Sequence, residues 1–229
     1  AQTLIPQRLR WLSRHTGIAS KLMPTAVHRQ LNSLRGIDQP ALVALPPGRR
    51  VAVLAPHPDD ELLGCGATLV KHLQAGHQVL VVFVSSGEAS AAASGTAAER
   101  VSLREHEARN AVSAAIPTAV LEFLRLPDGG YPNGDGTAAY GFQSLYELWT
   151  GTIGTITADD GSATYTKADL TSTLTSLMNL AQPTIISTQD YLESYGDGDH
   201  VDHMTTGYFV RQAQIAYAQI GSASCRETV

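Results

Sequence analysis

The chain has 229 residues, 43% of them hydrophobic, a net charge of −5 and two cysteines. That length and apolar fraction suit one globular domain, or one domain with an appendage. No apolar run reaches the ~18 residues of a membrane span, and two cysteines, Cys65 and Cys225, make neither a disulfide framework nor a cysteine-based zinc site. Charge is uneven: Arg8, Arg10, Arg14, Lys21, Arg29, Arg35, Arg49 and Arg50 stand against Asp38 alone, so residues 1–50 carry +7 and the remainder −12. A basic arm on an acidic body raises nucleic acid or a membrane surface as partners. These arginines are spread rather than clustered, so the expectation is an arm that docks on its own acidic body and no nucleic-acid partner. The opening AQTLIPQRLRW has no continuous apolar core of the kind an intact signal peptide needs. A processed or trimmed form is expected.

Residues 1–48 read as short helical pieces, 7–14 and 26–34, broken by Pro6, Pro24 and Pro40. From residue 49 the pattern alternates. A strand is expected over 51–55 and a helix over 60–75, with carboxylates in its first turn and Gly76 at its end. The run QVLVVFVS (78–85) reads as a parallel strand buried on both faces. An amphipathic helix follows over 98–115, then a strand over 120–124 and the loop LPDGGYPNGDG (126–136). A short helix is expected over 142–149, a polar hairpin or lid over 152–166, a helix over 167–180 and a strand over 183–188. The last long helix spans 203–218, and 221–229 reads as a tail. Strand–helix–strand order with short connections predicts a mostly parallel α/β sheet covered by helices. The division is a basic arm (1–48), one α/β domain (49–220) and the tail. In such sheets a ligand site lies beyond the carboxyl ends of the strands. The HPDD run, the Asp128 loop and the HVDH run would meet there.

The chemistry concentrates in VAVLAPHPDDELLGCG (51–66). An imidazole and three carboxyls, His57, Asp59, Asp60 and Glu61, stand at the end of an apolar strand, where unpaired charge is costly. His57 and Asp60, three apart across a proline turn, can face one point. Adjacent Asp59 and Asp60 cannot. One imidazole and one carboxylate are ordinary zinc ligands, and a catalytic zinc site takes a third. His203 can supply it, leaving an open position for water. Asp59 then lies near the metal but off it, as a general base must. His200 can stand beside the water, and Asp202 can bond an imidazole nitrogen and hold its tautomer. Glu61 is read as an ordinary first-turn helix residue or one that supports the ligands from behind, Cys65 as a small buried residue, and His72, His77 and His106 as surface. Gly64-Cys65-Gly66 lacks the full phosphate-loop pattern and follows carboxylates that would repel phosphate.

Ala55-Pro56-His57-Pro58-Asp59-Asp60-Glu61 with Leu63-Gly64-Cys65-Gly66 resembles the signature of the PIG-L/LmbE family of zinc-dependent N-acetylglucosamine deacetylases. His200-Val201-Asp202-His203 is similar to that family's H-x-D-H motif. Ser86-Gly87-Glu88, Arg104 with Glu107, and Leu126-Pro127-Asp128-Gly129 resemble its lesser blocks in the right order. The resemblance runs from about residue 50 to 218. It implies a Rossmann-like (LmbE-like) fold with helices on both faces of the sheet. It also implies hydrolysis of the acetamide of an amino sugar or an N-acetylglucosamine conjugate. By it, His57, Asp60 and His203 bind one zinc ion, Asp59 is the base, and His200, held by Asp202, stabilises or protonates the tetrahedral intermediate. By motif position Arg104 and Asp128 contact sugar hydroxyls. The arm and the 152–166 insert fall outside the family pattern. The stretch TQDYLESYGDGDHVDH resembles the subgroup found in exported bacterial and fungal proteins, which points to an extracellular location. Three alternatives stand beside this reading. One is an amidase acting on a non-sugar amine. Another is a carbohydrate-binding module that has lost catalysis, which would lack a base or ligand. The third is a two-metal phosphoesterase, which needs more ligands than this reading counts at the rim.

Overall fold

In a computed structural model, the structure describes residues 50–90, 94–129, 138–196 and 198–217. The arm, the tail, Cys225 and residues 130–137, most of the loop after Leu126, lie outside the described residues. The elements in chain order are β1 (Arg50–Ala55), α1 (Asp60–Gln74), β2 (Gln78–Ser85), α2 (Ala97–Ala115) and β3 (Val120–Leu126). A 3₁₀ turn (Ala138–Tyr140) leads to α3 (Leu145–Thr150), β4 (Ile156–Thr157), β5 (Thr164–Tyr165), α4 (Lys167–Ala181), β6 (Ile185–Thr188) and α5 (Val201–Ala216). No helix among the described residues is long and apolar enough to cross a membrane.

The main sheet is parallel with order β3-β2-β1-β6. Successive side chains of a strand point to opposite faces, and both faces are covered, which is why β1 and β2 read as unbroken apolar runs. Val51, Val53, Ala55, Val79, Val81, Phe83, Leu121 and Phe123 pack with Leu69 of α1 and Ala108 and Val112 of α2. Ala52, Leu54, Leu80, Val82, Val84, Leu124 and Leu126 pack with α3, α4 and α5. Local chemistry sets the helix starts: Thr96 with Glu99 and Thr166 with Asp169 form capping boxes at α2 and α4, and Ser144 caps α3. That cap, after Phe142 at φ 56°, starts α3 three residues later than the sequence predicts.

The expected hairpin over 152–166 is present as the antiparallel pair β4–β5, but it is not a free lid. Ile156, Ala158, Ala163 and Tyr165 belong to the same core as α3–α5. Its polar appearance comes from the outward half of a two-residue alternation. The final helix begins at Val201 with His200 as its N-cap, so the HVDH run straddles the helix start. His72 and His77 pair with each other through their Nδ1 atoms at 2.9 Å, at the end of α1 away from its first turn.

Chain direction positions the site. The chain steps outward from β1 to β2 to β3, then returns to the far side of β1 with β6. The carboxyl ends of β1 and β6 therefore flank a topological switch point, the place where such sheets hold ligands.

One buried group carries a stability cost. Glu122 on β3 is 3% exposed. Burial pushes its carboxyl up to about 8, against the opposing charges of Arg125 and Arg109. A raised carboxyl keeps a proton in the native state that the unfolded chain releases, so stability falls as pH rises from the unfolded value through about 8. Glu122→Gln removes the ionisation. It is expected to match wild type in thermal unfolding at pH 5 and to exceed it by roughly 2–4 kcal/mol at pH 8.5; parallel pH slopes would show that Glu122 is not the cause.

Candidate metal centre

Pro56 ends β1, and the chain turns so that His57 and the first turn of α1 lie at the switch point. His57 is the hub. Its backbone N–H donates to Asp60 Oδ2 at 2.9 Å, and its Nδ1 lies 3.3 Å from the same oxygen. Its Nε2 lies 3.2 Å from Asp128 Oδ1 and 3.4 Å from Asp202 Oδ2. Burial opposes charge on this imidazole, but contacts with Asp128, Asp202 and Asp60 outweigh it and hold the ring well above its ordinary value. For Asp60 burial is likewise outweighed, by His57 and His203, and its carboxyl is lowered.

His203, in the first turn of α5, brings Nε2 to 3.5 Å from Asp60 Oδ1, and its Nδ1 lies 2.8 Å from Asp199 Oδ1. His57, Asp60 and His203 each offer a ligand atom within 4.8 Å of the others'. Two imidazole nitrogens and one carboxylate oxygen, from β1's end and α5's start, form a donor set that fits a zinc-type ion with a position left open. His57, Asp128, His200 and Asp202 form a second such group. The rim therefore offers more donors than the sequence reading counts. The two groups share His57, however, and one imidazole serves two ions only after losing both its protons.

The sequence pairs Asp202 with His200; the structure routes that contact through the backbone. The Asp202 N–H donates to His200 Nδ1 at 3.2 Å, while the fully buried carboxylate faces His57 and accepts the Gly129 N–H at 3.3 Å. Burial raises this carboxyl, only partly offset by His57. Gly129 must approach closely for this: a Cβ there would meet Ser144 Cβ at 2.6 Å and Gln143 O at 2.8 Å.

Asp128 and Arg104, expected from motif position to contact sugar hydroxyls, both have protein partners. Asp128 is buried between His57 and His200, and the charge and bonding of these rings lower its carboxyl despite burial. Its N–H donates to Glu88 Oε2, and Glu88 is fully buried. Arg104 reaches across from α2 to clamp the proline turn, donating to Pro58 O at 2.6 Å and Asp59 Oδ2 at 2.9 Å, with Glu107 at 3.6 Å. Asp59 belongs to neither donor group; its side chain is 48% exposed.

Several further contributors take their place only in the structure. Glu61 is 1% exposed, accepts the Asp59 N–H at 3.0 Å, and burial pushes its carboxyl up to about 7. Asp159, delivered by the hairpin, is pushed up to about 8 by burial and then by the charge of Glu88. Nothing in its local sequence marks it. Asp199 did carry a signal, since it stands one helical turn before His203.

A family model described as PIG-L, GlcNAc-PI de-N-acetylase, matches residues 52–214. The 1D-myo-inositol 2-acetamido-2-deoxy-alpha-D-glucopyranoside deacetylase of Kineococcus radiotolerans is 25% identical over 180 residues, 75% of this chain and 45% of that protein. The chain thus spans less than half the length of that relative. Among solved structures, the 4-carboxy-2-hydroxymuconate hydratase GalB of Pseudomonas putida KT2440 is similar with a TM-score of 0.50 and 18% identity over 76% of this chain and 62% of that one. The N,N'-diacetylchitobiose deacetylase of Pyrococcus horikoshii gives 0.49 and 20% over 76% and 51%. The likeness to the hydratase shows the fold alone, and a fold hosts more than one chemistry. The family match runs from β1 into α5 and takes in both the HPDD turn and the HVDH run, and on it the chain belongs to the PIG-L family of GlcNAc-PI de-N-acetylases.

Proposed function

We propose that the chain is a zinc-dependent N-deacetylase that removes the acetyl group from an N-acetylated amino sugar or an N-acetylglucosamine conjugate. The observation that carries this reading is the convergence of His57, Asp60 and His203 at the switch point, in a chain whose family is described as a de-N-acetylase. Those three residues would hold the ion. A zinc ion there supplies Lewis acidity to the amide carbonyl and acidifies a water.

The chain's own residues do the rest. Asp59, off the donor set, takes the proton of the attacking water and returns it to the departing amine. His200 faces the developing oxyanion. Its Nδ1 already accepts the Asp202 N–H, so the neutral ring carries its proton on Nε2, where it can donate. Asp128 and Asp202 hold His57 from behind. The guanidinium nearest the HPDD turn, Arg104, is spent on Pro58 O, Asp59 and Glu107.

The test is metal content together with acetate release over a panel containing N-acetylglucosamine, N,N'-diacetylchitobiose, an inositol-linked N-acetylglucosamine and a non-sugar acetamide. One metal per chain with acetate and free amine in equal amounts is expected from at least one sugar. Cleavage of the non-sugar amide alone would move the reading to a general amidase. A fully loaded protein inert on the whole panel would overturn it.

A further inference from the structure

We propose that Asp199 is a positioning residue of the metal centre, fixing the tautomer and aim of His203. The proposal rests on the reading of His203 as a ligand. Asp199 is the last residue before the N-cap of α5. One of its oxygens, Oδ1, does two things: it accepts the His200 N–H at 2.7 Å, and it lies 2.8 Å from His203 Nδ1. The His203 backbone N–H donates to His200 O at 3.0 Å in the same turn. A carboxylate oxygen only accepts, so in the neutral ring a contact of 2.8 Å favours the hydrogen on His203 Nδ1. Nε2 then holds the lone pair, and it is Nε2 that faces Asp60 Oδ1 at 3.5 Å and shares a donor set with His57. Without Asp199 the ring is free to take the other tautomer, with a proton where the ligand lone pair should be, or to turn about its Cβ–Cγ bond.

The side chain of Asp199 is 40% exposed. Its contact with His203 therefore adds little to fold stability, and the effect should appear in metal affinity instead. Outer partners of metal-bound imidazoles act in this way, and their loss costs 10–100-fold in affinity.

The test is zinc affinity by competition with a chromophoric chelator for wild type, Asp199→Asn, Asp199→Ala and His203→Ala, alongside the thermal midpoint of each metal-free protein. Asp199→Ala is expected to bind zinc about 10–100-fold more weakly with its metal-free midpoint unchanged. Asp199→Asn keeps an acceptor oxygen of the same reach and is expected to recover most of that loss. If Asp199→Ala binds zinc as wild type does while His203→Ala does not, the proposal fails and the ligand reading stands. If His203→Ala also binds as wild type, the ligand reading fails first. An Asp199→Asn variant as weak as Asp199→Ala would overturn the tautomer argument, because the acceptor would not be what matters.

Discussion

Asp59→Asn is expected to lower turnover by about 10³-fold, within the 10²–10⁴ range of a lost general base, and to leave metal content at the wild-type level. Asp59 sits at φ 146°, ψ −27°, a conformation non-glycine residues rarely adopt. Such strain costs roughly 1–3 kcal/mol and persists where surrounding structure over-determines it. Here it does: Glu61 accepts the Asp59 N–H, Asp59 O accepts the Leu62 and Leu63 N–H groups as α1 begins, and Arg104 binds the side chain. The turn keeps Asp59, the neighbour of Asp60 in the chain, out of the donor set, as a base requires. Asparagine has the same shape, shares aspartate's enrichment at positive φ, and cannot take a proton from water. Replacement therefore removes one chemical property and spares the turn. Turnover within threefold of wild type would discard Asp59 as base. Metal lost along with activity would make it a ligand instead.

Much of this arrangement was legible in the sequence because charge at the end of an apolar strand has few structural uses. The HPDD run announced itself by interrupting residues that pack on both faces of a sheet. Spacing also put His200 and His203 on one side of a helix start, and the structure brings His203 Nε2 within 3.5 Å of Asp60 Oδ1. What spacing does not encode is direction across the sheet. Thr188 Oγ1 donates to Leu54 O, 134 residues away, and that β1–β6 neighbourhood decides which carboxylates end behind His57. The Asp128 loop and the HVDH run were expected at the same rim, but only the placement of β3 and α5 shows Asp128 and Asp202 ending 3.2 and 3.4 Å from His57 Nε2. Arg104 could equally have reached into the opening; its closeness to the proline turn is set by Gly87, where a Cβ would crowd Pro58 at 3.0 Å. The hairpin's burial was hidden for a similar reason, as a two-residue strand shows too little alternation to reveal an apolar face.

Asp60→Asn is expected to abolish metal binding at micromolar zinc while leaving a folded protein. Asp60 has two duties. Its Oδ2 accepts the His57 backbone N–H and so sets the turn, and its carboxylate stands between His57 and His203 at 3.3 and 3.5 Å. Asparagine retains the first duty and loses the charge needed for the second. Breaking a buried charge pair by removing one partner costs roughly 3–5 kcal/mol, or about 10²–10⁴-fold in affinity. Acidification should imitate the substitution in the wild type. His57 is held well above its ordinary value by three carboxylates, so near neutrality its ring carries protons that an incoming ion must displace. Zinc affinity is then expected to climb by about tenfold per pH unit up to that raised value and to level off above it. Equilibrium dialysis from pH 5.5 to 8.5 reads both effects at once. A flat profile in the wild type, or a variant that binds zinc normally, would remove Asp60 and His57 from the donor set.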